Sequence, residues 1–337
     1  MFKRPILLGL DIGSKKIKLV KARAKGNAII PQVLITMDTP PGTVDAGIII
    51  DPELLGQELS VLVTQHGFNG ANVISAVSGQ QVYTRKLILP EMKANELRQA
   101  VVNQSISFLP IPPEEAAMDV FKLRTFTDEE GKKVEVFYVA ARKIQVDSLL
   151  TVCLAAGLKL AAVEIEPLAL YRVLLSHDKE NEVNAILNIG ASRSYMAVFE
   201  GPVLTAVRNM SFGCSVFYLG VGGYGQSNPN TQLEDIDLNE DSSYSYLIGD
   251  MITEVSRTIE YYSLQNMGQK IERIIICGGG SRLKGLDVVL GGALGCNVEM
   301  ANLSSRVIIP SSFDVQQKLA LVHECPVALG LAARGVL

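Results

Sequence analysis

The chain has 337 residues, a formal net charge of −4 and 48% hydrophobic residues. This length is too great for one small core and predicts two lobes, each with its own apolar interior. The composition is that of a folded globular protein. The slightly acidic charge, without any block of Lys and Arg, argues against a nucleic-acid partner.

Export and membrane insertion are also disfavoured by the sequence. The apolar run at residues 6–10 stops at Asp11 and is too short for the core of a signal peptide. No stretch reaches the roughly 18 apolar residues that a membrane helix needs. The five cysteines form no C-x-x-C pair, which favours buried thiols in a reducing compartment over a metal site. We therefore expect a cytoplasmic protein with no direct membrane insertion.

The first predicted elements are three antiparallel strands. Apolar runs at 6–12 and 17–23 are separated by Gly13 and Ser14, and a Gly-Asn turn leads into a third run at 28–36. Short apolar runs joined by such turns predict a meander.

The next part of the chain has a different pattern. "VYTRKLIL" predicts a strand, and a helix is expected at 93–108, before the breaker "LPIPPEE". Strands are expected at 117–126 and 134–141, joined by the polar turn "TDEEGKK". We interpret residues 81–160 as a small inserted subdomain.

A second meander follows the insertion. Strands predicted at 184–190, 194–199 and 203–209 repeat the first meander over about 25 residues, which indicates an internal duplication. The stretch 221–243 lacks apolar periodicity and predicts a loop, whereas 244–266 predicts a long helix.

These elements divide the chain into two lobes and an insertion. The first-lobe core is expected at 1–80 and 161–183, with the inserted subdomain between them. The second lobe is expected at 184–337, with a reduced subdomain around 221–270.

The turn between the first two strands contains residue types that bind phosphate and metal ions. A strand that ends in Asp-x-Gly and a hydroxyl residue places the Asp11 carboxylate beside several backbone N–H groups. Such a turn can hold a phosphate while the carboxylate orients Mg²⁺. A single copy is better explained by a tight turn that needs glycine for its backbone angles. Two copies favour a pair of hairpins that grip one polyphosphate across a cleft.

A third glycine-rich element lies near the end of the chain. An apolar strand runs into Gly278, Gly279, Gly280 and Ser281, and a helix is expected after them. Glycines at this place allow a ligand to approach the backbone, and a helix N-terminus favours negative charge. A plain strand-to-helix turn is the alternative interpretation.

These motifs carry a family resemblance. "LGLDIGSKKIKLV", "AILNIGASRSYMAVFEG" and "RIIICGGGSRLKGL" resemble, in this order, the first phosphate, second phosphate and adenosine motifs of the actin, heat-shock chaperone and sugar kinase superfamily. "LPEMKANELRQAVVNQSISFLPIPPEEAAMDV", "VEIEPLALYRVL" and "CPVALGLAARG" resemble the PilM family of cytoplasmic actin-like proteins of type IV pilus assembly. The resemblance implies an α/β, actin-like (ribonuclease H-like) fold of two duplicated lobes with an inserted subdomain like that of the division protein FtsA.

The resemblance also implies ligands and residue roles. ATP and Mg²⁺ are the implied ligands, with Asp11 holding Mg²⁺ through water and Glu166 as the catalytic acid that orients the attacking water. The other residues that it places around the nucleotide are Gly13, Ser14, Lys18, Asn188, Gly190, Ser192, Gly278, Gly279, Gly280 and Ser281.

Two departures from the family pattern affect this expectation. Asn188 stands where the second phosphate motif usually has Asp, so that nucleotide binding survives while hydrolysis suffers. The stretch 221–243 lacks the charged helix that relatives place beside the adenosine. Glu254 and Arg257 are candidate substitutes, but two surface charges without a ligand explain them equally well.

Two functions remain open on the sequence. The first is a nucleotide-binding scaffold that docks the cytoplasmic N-terminal peptide of a PilN-like membrane protein, sits at the inner membrane through it, and meets other pilus assembly proteins. The strand at 117–126 is the expected docking edge, although the preceding prolines could simply stop a helix. The second is an ATPase or small-molecule kinase on the same fold. The sequence leaves open whether homo-oligomers form.

Overall fold

The computed structural model describes residues 7–77, 82–175, 182–218, 232–238, 244–266 and 268–334. The strands are β1 (Leu7–Ile12), β2 (Lys16–Lys25), β3 (Ala28–Asp38), β4 (Val44–Asp45), β5 (Ile48–Ile49), β6 (Asn72–Val77), β7 (Val82–Pro90), β8 (Ala116–Asp128), β9 (Gly131–Arg142), β10 (Lys159–Ile165), β11 (Val183–Ile189), β12 (Ser194–Glu200), β13 (Val203–Met210), β14 (Arg273–Cys277) and β15 (Asn297–Met300). The helices are α1 (Pro52–Gln65), α2 (Ala94–Ser105), α3 (Lys143–Ala155), α4 (Glu166–Leu174), α5 (Ser215–Tyr218), α6 (Ser245–Gln265), α7 (Leu286–Leu294), α8 (Val315–His323) and α9 (Pro326–Ala333).

Two five-stranded sheets have the same topology. The first has the order β3-β2-β1-β6-β10, and the second has the order β13-β12-β11-β14-β15. In each sheet the first three strands form an antiparallel meander and the last two run parallel to the strand before them. Both predicted meanders, and the internal duplication, are confirmed.

The first sheet is buried on both faces because helices cover it on both sides. Leu8 and Leu10 of β1 pack with Leu55 and Leu59 of α1. The opposite face packs against α9, the last helix of the chain. A Cβ atom on Gly9 would lie 2.0 Å from the Ala328 carbonyl oxygen, so glycine is needed for this close contact. Although α9 follows the second lobe in sequence, it packs on the first sheet.

The inserted subdomain is a three-stranded antiparallel sheet in the order β7-β9-β8, with α2 packed on one face. The predicted order of strand, helix, strand and strand is confirmed. This sheet ends at Arg142. Residues 143–160 then form α3 and the start of β10, and α3 packs on α1 of the first lobe.

The second sheet is covered by α6 and α7. The helix predicted at 244–266 is present as α6, and it buries Ile248, Met251, Val255 and Tyr262 toward the sheet. Of the predicted loop at 221–243, the structure describes 232–238, which form a short 3-10 turn and a bridge from Asp237 to Lys284. The rest of that loop lies outside the described residues. No helix in the described parts of the chain is long and apolar enough to cross a membrane.

Candidate functional site

The turns of the two meanders have matching geometry. The Gly13 amide donates a hydrogen bond to the Lys16 carbonyl over 3.0 Å, and the Gly190 amide donates to the Arg193 carbonyl over 3.0 Å. A Cβ atom added to Gly13 would lie 3.0 Å from the Lys16 carbonyl oxygen, and one added to Gly190 would lie 2.7 Å from the Arg193 carbonyl oxygen. Glycine therefore keeps both turns tight, and the two turns face one shared cleft of about 510 Å³.

The glycine-rich loop after β14 forms another wall of this cleft. Gly278 has φ of +86°, and a Cβ atom there would lie 2.4 Å from the Asn188 Oδ1 atom. The loop thus lies directly against the end of β11. Gly278 and Gly279 line the cleft, whereas Gly280 packs on Ile189 behind it.

Ser281 supports this loop from inside the protein. Its hydroxyl donates to the Gly278 carbonyl over 2.7 Å and lies 2.7 Å from the His323 Nδ1 atom. Burial lowers the pKa of His323, and the nearby Arg282 charge lowers it further. A neutral His323 therefore holds Ser281, and the structure gives Ser281 a loop-supporting position instead of a place in the cleft wall.

The first hairpin carries a buried ion pair. Lys18 Nζ lies 3.0 Å from Asp11 Oδ2, and the two side chains are only 14% and 10% exposed. The two residues face each other across β1 and β2. Burial disfavours the charged Lys18, but the charge of Asp11 and the hydrogen bond to it outweigh that effect and raise the pKa of Lys18. Lys18 is therefore a fixed cation in the cleft.

The second hairpin is neutral at the equivalent positions. Asn188 and Tyr195 face each other across β11 and β12, as Asp11 and Lys18 do in the first copy. The Asn188 side-chain amide donates to Glu166 Oε2 over 3.3 Å. Glu166 is the first residue of α4 and lines the cleft. The duplicated site thus has one charged half and one uncharged half.

A bridge of three charges spans the cleft, and sequence reasoning missed it. Lys16 of the first hairpin and Arg282 of the glycine-rich loop both contact Glu324, at 3.0 Å and 3.2 Å. Lys16 and Arg282 lie within the quoted first phosphate and adenosine motifs, so their positions were a signal that sequence reasoning could have used. Glu324 follows α8, directly before the closing motif and far in sequence from the phosphate motifs, and only the fold brings it to the cleft.

The cleft brings together most of the predicted site residues. Those that line it are Asp11, Gly13, Ser14, Lys18, Glu166, Asn188, Gly190, Ser192, Gly278 and Gly279. Glu254 and Arg257 do not belong to this set of lining residues. They lie 3.7 Å apart on α6, with side chains 36% and 65% exposed. In this structure they form a surface pair one helical turn apart.

The charges of the cleft fit an anionic ligand. Five cations line it, against four carboxylates: the cations are Lys15, Lys16, Lys18, Arg193 and Arg282, and the carboxylates are Asp11, Asp38, Glu166 and Glu324. The described residues contain no cluster of three His, Cys, Asp or Glu side chains that would ligate a metal directly. Asp11 and Glu166 are suited to accept hydrogen bonds from waters of a Mg²⁺ ion that also binds phosphate oxygens.

Duplicated sheets, paired glycine turns and a shared cleft define an actin-like two-lobe α/β fold. Solved structures of low sequence identity share it. The ethanolamine utilization protein EutJ of Carboxydothermus hydrogenoformans has a TM-score of 0.51 and 13% identity over 98% of this chain and 90% of that chain. The MreB 5 protein of Spiroplasma citri bound to AMPPNP has a TM-score of 0.50 and 12% identity over 89% of this chain and 92% of that chain.

A family model and a more similar solved structure identify the family of this chain. The protein-family model described as type IV pilus assembly protein PilM matches residues 9–336. A solved PilM-PilN type IV pilus biogenesis complex is similar at 26% identity and a TM-score of 0.82, over 99% of this chain and 100% of that chain. The chain belongs to the PilM family of type IV pilus assembly proteins.

Proposed function

We propose that this protein is a nucleotide-binding scaffold of type IV pilus assembly that docks the cytoplasmic N-terminal peptide of a PilN-like inner-membrane protein. The observation that carries this proposal is an open sheet edge on the inserted subdomain. Among the described strands, β8 pairs only with β9. An open edge strand can bind an extended peptide through main-chain hydrogen bonds.

An apolar side chain marks this edge at the junction with the lobes. Phe121 of β8 lies opposite Phe137 of β9, so both side chains point to the same face of the sheet. Phe137 is buried in the hydrophobic cluster that joins the lobes, whereas α2 covers the other face. Phe121 remains 46% exposed. A peptide added to β8 therefore finds an apolar contact beside the first lobe.

The similar solved structure is a PilM-PilN complex, which supports a PilN-like protein as the partner. We infer that the partner's short apolar and Asn-bearing N-terminus binds with micromolar affinity, as is usual for small transient contacts. Through this peptide the protein is held at the inner membrane and among other pilus assembly proteins.

Fluorescence anisotropy with a labelled N-terminal partner peptide tests the docking edge. Phe121→Ala should weaken binding at least tenfold, because it removes the apolar contact. Tyr246→Ala is the matched control, since Tyr246 is an aromatic residue 72% exposed on α6 of the second lobe. Equal affinities of the two variants would refute β8 as the docking site.

The second part of the proposal is that ATP with Mg²⁺ binds between the two hairpins. The five cations and the amide groups of both glycine turns support it. A ligand that binds only the folded state raises the melting temperature. Millimolar ATP with Mg²⁺ should stabilise the wild type, and Asp11→Ala should abolish the shift. An unchanged wild-type melting temperature would show that the cleft does not bind ATP.

The alternative function is an ATPase or a small-molecule kinase, and the Glu166 carboxylate in the cleft favours it. The neutral Asn188 beside Glu166 opposes it, because a carboxylate there would help to order metal and water. We therefore propose that hydrolysis is weak or absent. Steady ATP turnover above a buffer blank, lost in Glu166→Ala, would establish the enzyme instead.

A further inference from the structure

The second hairpin contains two buried hydroxyl groups that take no part in the hydrogen bonds and ion pairs of the candidate site. Tyr195 is 6% exposed and Ser194 is 2% exposed, and both line the cleft. Neither hydroxyl has a hydrogen-bond partner of good geometry among the described residues. A buried hydroxyl without a partner costs about 1–3 kcal/mol, so such groups at a cleft indicate a polar ligand.

The duplication shows what Tyr195 faces. Its place in β12, opposite Asn188, is the place of Lys18 in β2, opposite Asp11. Because the two hairpins face one cleft, Tyr195 and Lys18 line it from the two lobes. Lys18 is the cation at this position of the first hairpin, and Tyr195 offers a neutral donor at the equivalent position of the second.

The surroundings of the Tyr195 hydroxyl keep it a donor. It faces the Asn188 amide and the Glu166 carboxylate, and burial together with the Glu166 charge raises the pKa of Tyr195 well above its usual value. The hydroxyl therefore stays protonated at every physiological pH and can donate to an anionic oxygen.

We propose that the Tyr195 hydroxyl binds the phosphate chain of the nucleotide, as the second-lobe counterpart of Lys18. The inference rests on the nucleotide-binding part of the proposed function. It assigns a ligand-binding role to Tyr195, which follows the turn inside the second phosphate motif, in addition to the turn residues Gly190 and Ser192.

The test is Tyr195→Phe, which removes only the hydroxyl. Isothermal titration with Mg-ATP should show at least a tenfold loss of affinity, the usual effect of losing a hydrogen bond to a charged group. Without nucleotide the melting temperature should stay the same or rise, because a buried hydroxyl without a partner is removed. A structural role of Tyr195 would not give these two opposite effects.

Tyr138→Phe is the matched control. Tyr138 is also fully buried with a hydroxyl that lacks a partner among the described residues, but it lies in the core of the inserted subdomain. This variant should bind Mg-ATP as the wild type does. Wild-type affinity of Tyr195→Phe would overturn the inference, as would a lower melting temperature without nucleotide. A wild type that binds no ATP would instead overturn the proposed function, and this inference with it.

Discussion

The ion pair of the first hairpin allows a quantitative prediction. Lys18→Met leaves the carboxylate of Asp11, which is 10% exposed, without its charged partner at 3.0 Å. Removing one member of a buried pair costs about 3–5 kcal/mol. Because the pair borders a cleft that admits solvent, we expect a loss of about 3 kcal/mol in the free energy of unfolding. At about 2–4 °C per kcal/mol, the melting temperature should fall by about 6–12 °C.

The second copy of the hairpin suggests how the loss can be reversed. Since a neutral pair fits the same register there, Asp11→Asn combined with Lys18→Met should recover about 2 kcal/mol relative to the sum of the single losses. Urea unfolding curves with equal slopes give these values. Arg98→Met is the control, because Arg98 and Asp119 form an exposed pair with side chains 66% and 51% exposed, and such pairs contribute about 0–1 kcal/mol. Strictly additive losses at Asp11 and Lys18 would refute the coupling.

Further predictions concern pH, hydrolysis, the glycine-rich loop and the thiols. Folding raises the pKa of Lys18, so the stabilisation by its charge is complete below the unfolded pKa of about 10.4 and is lost as the pH rises through the folded pKa. In urea titrations the difference in unfolding free energy between wild type and Lys18→Met should be constant from about pH 7 to 9 and shrink above about pH 10.5. A difference that grows above that pH would contradict the assignment. Asn188→Asp should increase ATP hydrolysis in a phosphate-release assay only with Mg²⁺, because the new carboxylate then helps to hold metal and water; an unchanged rate would place the defect elsewhere. Gly278→Ala should lower the melting temperature by several degrees and weaken ATP binding, since its Cβ atom would lie 2.4 Å from Asn188 Oδ1 at positive φ. A Cβ atom on Gly279 meets no atom within 4 Å, so Gly279→Ala should keep the wild-type melting temperature without nucleotide. With a thiol reagent at pH 8, the partly exposed Cys296 should react in the folded protein and the four buried cysteines only after unfolding; fast labelling of more than one thiol would contradict this burial.

Local patterns in the sequence were sufficient to predict both meanders and the inserted sheet. Short apolar runs define the strands of both meanders, and Gly13 and Gly190 mark turns whose tight geometry needs glycine. Because the two hairpins are copies, their joint place at a cleft followed from the duplication. The helix at 244–266 was predictable for the same kind of reason, since its apolar residues recur at helical spacing.

Long-range packing was not predictable in this way. Gly9 and Gly330 allow α9 to lie against β1 and α4. A glycine in a strand or a helix does not, however, indicate in the sequence which backbone segment packs against it. Glu324 reaches the cleft only because α8 and α9 place it between Lys16 and Arg282. Glu254 and Arg257 show the opposite case, in which correct helical spacing on α6 yields only a surface pair.

The most direct test of the scaffold is the location of the protein in cells with and without its partner. The protein is expressed alone or together with the PilN-like membrane protein, and the membrane fraction is separated by ultracentrifugation and probed by immunoblot. We predict recovery in the membrane fraction only when the partner is present, and a loss of that recovery in Phe121→Ala but not in Tyr246→Ala. Membrane recovery without the partner, or a fully soluble protein with it, would contradict the account.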